Sequence, residues 1–363
     1  MNLEDLYFKL PKKIRYSENF IIFCKKLVKT LNMEKKPPST SNYTVNYLFK
    51  SSDVKIEGTL RNIQLLYVEL LRFIDNICKK YDLDYFLAYG TLLGAIRHEG
   101  FIPWDDDCDI IMMRNDYNKL IEVLPGEINK HESLKNNIGL TKLLNFNENY
   151  FDSVKTLYDK ELGHDVYFYD YDGSPNELNG INNPSLPRIC KSLFLQIGWL
   201  KPMVRLDIFP HDFIKEDSVK NYKKYYSASK ILFRNSFSEN DFKFEEEFNT
   251  RFNKLGLTLD ETKFIGEGID ASDDDLGVYD FNMFFPVKSH NFEGHEFKCP
   301  NKSKELLERW YGKNYMEIPI NIEMHGYSEY NSSFFDSTEE MNNEFEEAIN
   351  QLKKINNEFD KSN

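Results

Sequence analysis

Long apolar runs are missing from this sequence. The longest stretch near the start, Phe20 to Cys24, falls far short of the roughly 20 residues a membrane-spanning helix needs. Residues 1–10 do not have the layout of a secretory signal. Cysteine is sparse and odd in number, five in all (Cys24, Cys78, Cys108, Cys190 and Cys299), with no C-x-x-C pair. That excludes a zinc knuckle and a disulfide framework, and a reduced, cytoplasmic setting is expected. The seven histidines show no zinc spacing, and His290 and His295, close to Gly294, read as loop residues. Basic runs are absent too. With 46 Lys and Arg against 59 Asp and Glu, the formal net charge is −13. Nucleic-acid binding depends on cationic side chains neutralising phosphates, so no nucleic-acid partner is expected. Neither a P-loop nor a Gly-x-Ser-x-Gly elbow occurs, which argues against a P-loop kinase and a serine hydrolase. Three glycosylation sequons, at Asn42, Asn301 and Asn331, read as chance matches in an Asn-rich chain.

What is present is apolar bulk, 41% hydrophobic and 15% aromatic over 363 residues, enough for a large core in one or two domains. Residues 1–55 read as an N-terminal extension. Phe20 to Phe23 with Lys25, Lys26 and Lys29 suit a basic amphipathic helix, packed on the main domain or touching a membrane surface peripherally. Lys35 to Ser41 is linker-like. Leu60, Ile63, Leu66, Leu70, Phe73, Ile74 and Ile77 fall at helical spacing, with Thr59 as candidate N-cap.

Asp84–Tyr89 then reads as a buried strand ending at Gly90-Thr91, and Leu92–Arg97 as a short helix. A second strand, Asp107–Met113, precedes a helix that Asn115 can cap and Pro125-Gly126 can end. Met203–Phe209 is a further strand, residues 218–254 are helical, and 267–280 is an acidic loop. Residues 170–187 form a surface loop, and after Thr338 an amphipathic helix carries Phe345, Ile349, Leu352 and Ile355. This order is α/β (α+β): a mixed sheet flanked by helices, with additional helical segments.

The richest stretch is Trp104-Asp105-Asp106-Asp107-Cys108-Asp109-Ile110-Ile111. Carboxylates crowded at the edge of an apolar strand repel one another unless a cation neutralises them, and hard divalent cations prefer oxygen ligands. Along an extended strand, Asp107 and Asp109 share a face about 6–7 Å apart, with Asp105 as probable third member. Asp106 points away as a bystander, and Cys108, Ile110 and Met112 face the core. Asp207, a single acid inside Val204–Phe209, needs a partner if buried and is the candidate for the remaining ligand, with Asp212 as fallback.

Gly90 and Thr91, at a helix start, suit phosphate oxygens. Arg97 and Lys142 are candidate phosphate binders, though each alone reads more readily as a solvated surface charge. Trp104 can stack on a base or serve as an ordinary structural Trp. Asp273–Asp275 lacks a strand and reads as solvated.

The segment Tyr89-Gly-Thr-Leu-Leu-Gly-Ala-Ile-Arg-His-Glu-Gly-Phe-Ile-Pro-Trp-Asp-Asp-Asp-Cys-Asp-Ile111 resembles the LicD family, which includes bacterial phosphocholine transferases and is related to fukutin-type ribitol-phosphate transferases. Thr141–Leu143, Arg205–Pro210, Phe285–Val287, Phe292–Gly294 and Leu306–Gly312 extend the resemblance over about residues 60–320. It implies a nucleotidyltransferase-like fold that moves a phospho-alcohol, phosphocholine by default, from a CDP-activated donor to a hydroxyl of a glycan or glycolipid, releasing CMP. It implies Mg²⁺, with Mn²⁺ as its substitute. By position, Asp105, Asp107, Asp109 and Asp207 match the metal-binding acids, with Asp107, Asp109 and Asp207 the catalytic set. Gly90, Thr91, Arg97, Trp104 and Lys142 fall on the donor side. The expected division is an extension over 1–55, a catalytic domain over 56–330 and a helical tail over 331–363. Two rival readings are an NTP-using nucleotidyltransferase that releases pyrophosphate and a catalytically silent metal-binding scaffold.

Overall fold

The computed structural model describes residues 58–135, 137–141, 168–169, 189–190, 195–199, 204–236, 244–271, 277–318 and 337–362. In chain order the elements begin with helix α1 (Thr59–Tyr81), strand β1 (Phe86–Leu87), α2 (Tyr89–His98), β2 (Asp109–Met113), α3 (Arg114–Asn129) and α4 (Glu132–Lys135). Strands β3 (Ile138–Thr141), β4 (Phe168–Tyr169), β5 (Ile189–Cys190), β6 (Leu195–Trp199) and β7 (Val204–Ile214) follow. Then come α5 (Val219–Ser236), α6 (Phe244–Leu255), β8 (Leu257–Thr258), β9 (Phe264–Glu267) and β10 (Val278–Asp280). The hairpin β11 (Lys288–Phe292) and β12 (His295–Cys299), α7 (Ser303–Tyr311) and α8 (Thr338–Ser362) complete the order. The α/β expectation holds, and the main sheet is mixed.

The chain divides into a larger unit, residues 42–211 with 282–363, and a smaller one containing 212–281. In the larger unit the strands run β1-β2-β7-β6-β3. β2 and β7 are parallel and the other neighbours antiparallel. Cys108, Ile110 and Met112 face the hydrophobic core, as the alternation of β2 requires. Long helix α1 buries one full stripe, from Ile63 through Ile77. Terminal helix α8 packs along it with the expected Phe345, Ile349, Leu352 and Ile355 buried. The seam is also polar: buried Asn356 donates Nδ2 to the Glu69 carbonyl at 3.0 Å. In the smaller unit β8 pairs with the last residues of β7, and a buried network joins α5 to β9. Tyr226 donates to Glu267 Oε2 at 2.7 Å, and Lys230 Nζ lies 3.5 Å from Glu267 Oε1.

Several expected boundaries shift. Thr59 is the first helical residue and Gly58 occupies the cap, so the Thr59 side chain does not cap α1. The first strand contracts to two residues, and α2 starts at Tyr89, placing Gly90 and Thr91 inside its first turn. Strand β2 begins at Asp109, not Asp107. Helix α3 starts at Arg114, with Met113 rather than Asn115 at the cap, and runs through Pro125 to Asn129. Its last turn is held by buried Ile128 and by Glu127, which binds Lys80, Tyr81 and Lys130. Strand β7 continues past Pro210 to Ile214. The 267–280 loop is bounded by paired strands β9 and β10, and His290 and His295 lie in a hairpin rather than a loop. The helix expected over residues 20–31, Lys142, the 170–187 loop and Asp273–Asp275 lie outside the described residues.

Candidate active site

Three strands bring polar side chains into one row. Asp109 of β2 stands directly opposite Asp207 of β7, and Asp207 opposite Gln196 of β6. Neighbouring strands are about 4.8 Å apart, so the three side chains emerge from the sheet next to one another. Gln196 Nε2 donates to Asp207 Oδ1 at 2.6 Å, fixing that carboxylate. Gln196 was detectable by the same sign that marks Asp207, a lone polar residue inside an apolar strand, Leu195-Gln196-Ile197-Gly198-Trp199. Asp212 falls in the smaller unit, outside this row.

The Thr91 hydroxyl is directed inward. It is 1% exposed and accepts the Asp109 N–H at 2.9 Å. It therefore ties α2 to the start of β2. Gly90 has a second use. A Cβ there would lie 2.8 Å from Asp105 Oδ2, so the missing side chain is what lets the Asp105 carboxylate settle against the first turn of α2.

Asp105 is the electrostatic centre of the site. Burial first, then the charge and hydrogen bond of Asp107 and the charge of Asp106, push its carboxyl well above the ordinary carboxylate range. The Asp106 N–H donates to it and opposes this only in part. Its Oδ2 is buried without a hydrogen-bond partner. Asp106, expected to point away from the other acids, is fully buried.

Of the four acids expected at one metal, Asp105 and Asp107 stand in the loop before β2, and Asp109 and Asp207 stand opposite each other on the paired strands β2 and β7. The alternation that would align Asp107 with Asp109 starts only where the chain becomes a strand, at Asp109. Among the described residues, no three His, Cys, Asp or Glu side chains converge closely enough to ligate a single ion. A pair still fits Mg²⁺, which is usually held by one or two carboxylates and takes its other ligands from substrate phosphates and water. The buried, unpartnered Asp105 Oδ2 beside Asp107 is the matching donor set.

The surrounding side chains are engaged as well. Arg97 donates Nη1 to the carbonyls of Tyr315 and Glu317, at 2.9 and 3.0 Å, and its charge lies close enough to Asp105 to interact with it. One edge of its guanidinium thus clasps the chain after α7. Half-buried Trp104 packs on the core beside His98, whose ring burial and the Arg97 charge bring down to a pKa of about 4. Tyr89 opens α2 with φ of 41° and packs between Phe209 and Trp310, an aromatic support that the sequence did not reveal.

The opposed acids thus stand on a parallel strand pair, beside a helix whose first turn contains Gly90. Residues 82–186 match the model of the family described as LicD/FKTN/FKRP, nucleotidyltransferase domain. Over 123 residues the chain is 37% identical to the lipopolysaccharide cholinephosphotransferase LicD of Haemophilus influenzae, a match covering 33% of this chain and 46% of that protein. Uncharacterised proteins of Rickettsia prowazekii and Rickettsia typhi are 42% and 40% identical over 57 residues, 16% of this chain and 21% and 18% of theirs. The chain thus spans less than half the length of these relatives.

Proposed function

We propose that this protein is a transferase of the LicD type. It moves a phospho-alcohol, phosphocholine by default, from a CDP-activated donor to a hydroxyl of a glycan or glycolipid, and CMP leaves. The observation that carries the reading is the half-buried Asp105–Asp107 pair, with Asp105 Oδ2 buried against Gly90 within the matched domain. Two carboxylates that cannot both stay ionised in isolation suit a site whose charge is completed by a cation and a diphosphate.

In this reading the acceptor oxygen bonds to the donor phosphorus that bears the alcohol, and the bond from that phosphorus to the bridging oxygen breaks. The leaving CMP keeps that oxygen. Asp207, oriented by Gln196, takes the acceptor hydroxyl's proton. Asp105 and Asp107 would hold Mg²⁺, which would supply positive charge to offset the diphosphate and the departing CMP. Arg97 adds positive charge near Asp105, and Trp104 walls the loop side. Among the described residues no helix is long and apolar enough to cross a membrane.

The test is incubation with Mg²⁺ and CDP-choline, CDP-ribitol, CDP-glycerol or nucleoside triphosphates, each with a glycan acceptor. CMP release that disappears in Asp105→Asn supports the proposal. Pyrophosphate release from a triphosphate would assign a nucleotidyltransferase instead, and no turnover with any donor would favour a metal-binding scaffold.

A further inference from the structure

The loop carrying Asp105 is held from outside the matched domain by a chain of hydrogen bonds that starts at the β11–β12 hairpin. Glu293 sits at the hairpin turn with φ of 53°, followed by Gly294 at 82°. Two successive positive φ values define a turn that prefers Asn-Gly, and glutamate is a poor choice there. Its side chain explains the choice. Arg61 of α1 grips it with both guanidinium nitrogens, Nη1 to Oε1 at 3.0 Å and Nη2 to Oε2 at 2.7 Å. Oε1 also accepts the Phe101 N–H at 3.0 Å, and the Glu293 N–H donates to the Glu99 carbonyl at 2.9 Å.

Arg61 Nη1 reaches on to Gln64 Oε1 at 3.2 Å. Gln64, 1% exposed, donates Nε2 to the Asp105 carbonyl at 3.0 Å and the Ile102 carbonyl at 3.4 Å. Gly100 gives the clearance, since a Cβ there would lie 2.7 Å from Glu293 Oε1. The arrangement links the hairpin tip to the main chain of Asp105 through bonds that local hairpin stability does not require.

We propose that Glu293, Arg61 and Gln64 are positioning residues that fix the Asp105 loop for transfer. They act through the main chain of residues 99–105 and do not touch the reacting atoms. The kinetic part of this proposal rests on the transferase reading above. Local consistency that is violated at one residue, with a compensating network, is a signature of function rather than of folding.

The test is Glu293→Asn, which supplies the Asn-Gly pair the turn prefers but has no carboxylate and too short a reach for Phe101 and Arg61. Gly100→Ala, which blocks the Glu293 approach from the other side, is the second variant. Hydrogen exchange of the peptide 99–106 is compared with global melting and with CMP release. The expected result is exchange in 99–106 faster by about tenfold or more, with the melting temperature held. For the same variants kcat should fall by about 10–100-fold with donor KM little changed, as expected from a misplaced group. Unchanged exchange in 99–106 would overturn the positioning role, as would acceleration spread evenly over the larger unit. Should wild-type protein release no CMP from any donor, the transferase reading fails while the exchange arm still decides whether the clamp fixes the loop.

Discussion

Gly90→Ala separates chemistry from stability, because its two consequences run in opposite directions. Gly90 lies within α2, and its φ is not in the left-handed region, so alanine fits the backbone. Replacing a helical glycine by alanine ordinarily stabilises by roughly 0.5–1 kcal/mol. Here the new Cβ falls 2.8 Å from Asp105 Oδ2, closer than such contacts tolerate. The obstructing atom is the end of a side chain, so it gives way by rotation, and an off-rotamer carboxylate costs about 0.5–1.5 kcal/mol. The two terms nearly cancel, and the melting temperature should move by no more than about 3 °C.

Activity does not share that cancellation. A group displaced by on the order of 1 Å can cost about 100-fold in turnover, so kcat for CMP release should fall by one to two decades. Gly94→Ala is the contrast. Its Cβ would meet the Gly100 carbonyl oxygen at 2.5 Å and the Ile102 nitrogen at 3.2 Å, both main-chain atoms that cannot rotate aside. Overpacking of that kind costs about 1–3 kcal/mol, so Gly94→Ala should lower both melting temperature and activity. A Gly90→Ala protein that keeps full turnover at unchanged stability would refute the placement of Asp105 at the reaction centre.

Asp105→Asn removes one of two repelling half-buried carboxylates, so it should hold or raise stability, by up to about 1 kcal/mol, while abolishing transfer; a melt and a CMP assay check both, and retained turnover would remove Asp105 from the machinery. Gln196→Leu leaves Asp207 without its 2.6 Å donor and should cut kcat with donor KM unaffected, which steady-state kinetics reads directly. A large rise in KM alone would place Gln196 in donor binding instead. Burial would raise the Glu127 carboxyl, but hydrogen bonds from Lys130, Tyr81 and Lys80 outweigh it and bring it from 4.5 to about 2. Its contribution is therefore present in full above about pH 4.5 and is lost as pH falls toward about 2. With both lysines about half exposed, that contribution is on the order of 1–2 kcal/mol. In melts from pH 6 to pH 2.5, Glu127→Gln should trail wild type at the high end and converge with it at the low end. A constant gap across that range would show that the carboxylate's charge is not what matters.

Strand alternation was legible wherever the chain is a strand. It placed Cys108, Ile110 and Met112 on the core, and an isolated acid in an apolar run correctly singled out Asp207 as needing a polar neighbour. Asp107 lies two residues before β2 begins, where strand pairing does not fix its direction. No periodicity marks the residues that hold the acid loop, since Arg61, Gln64 and Glu293 are separated by 232 positions at the extremes and meet only through the fold. Thr91 shows the limit differently: a Gly-Thr pair at a helix start does not foretell that the hydroxyl will accept the N–H of a residue 18 positions on. That residue is Asp109.

In the proposed reading the loop acids and the sheet acids do different work, and where they stand suits it. Asp109 and Asp207 stand on paired strands, where the sheet fixes their backbones and Gln196 fixes one carboxylate. Asp105 and Asp107 stand on a loop whose geometry depends on side chains from α1 and the β11–β12 hairpin. A base that must meet an acceptor in a constant orientation benefits from the rigid strand. A pair that must accommodate a cation together with a departing diphosphate benefits from a loop that can be tuned by remote contacts. Damage to the sheet pair should therefore alter turnover without altering metal affinity, whereas damage to the loop or its supports should alter both. Measuring the Mg²⁺ dependence of CMP release in Gln196→Leu and Glu293→Asn distinguishes the two roles, and equal shifts in both variants would mean that the four carboxylates act as one cluster after all.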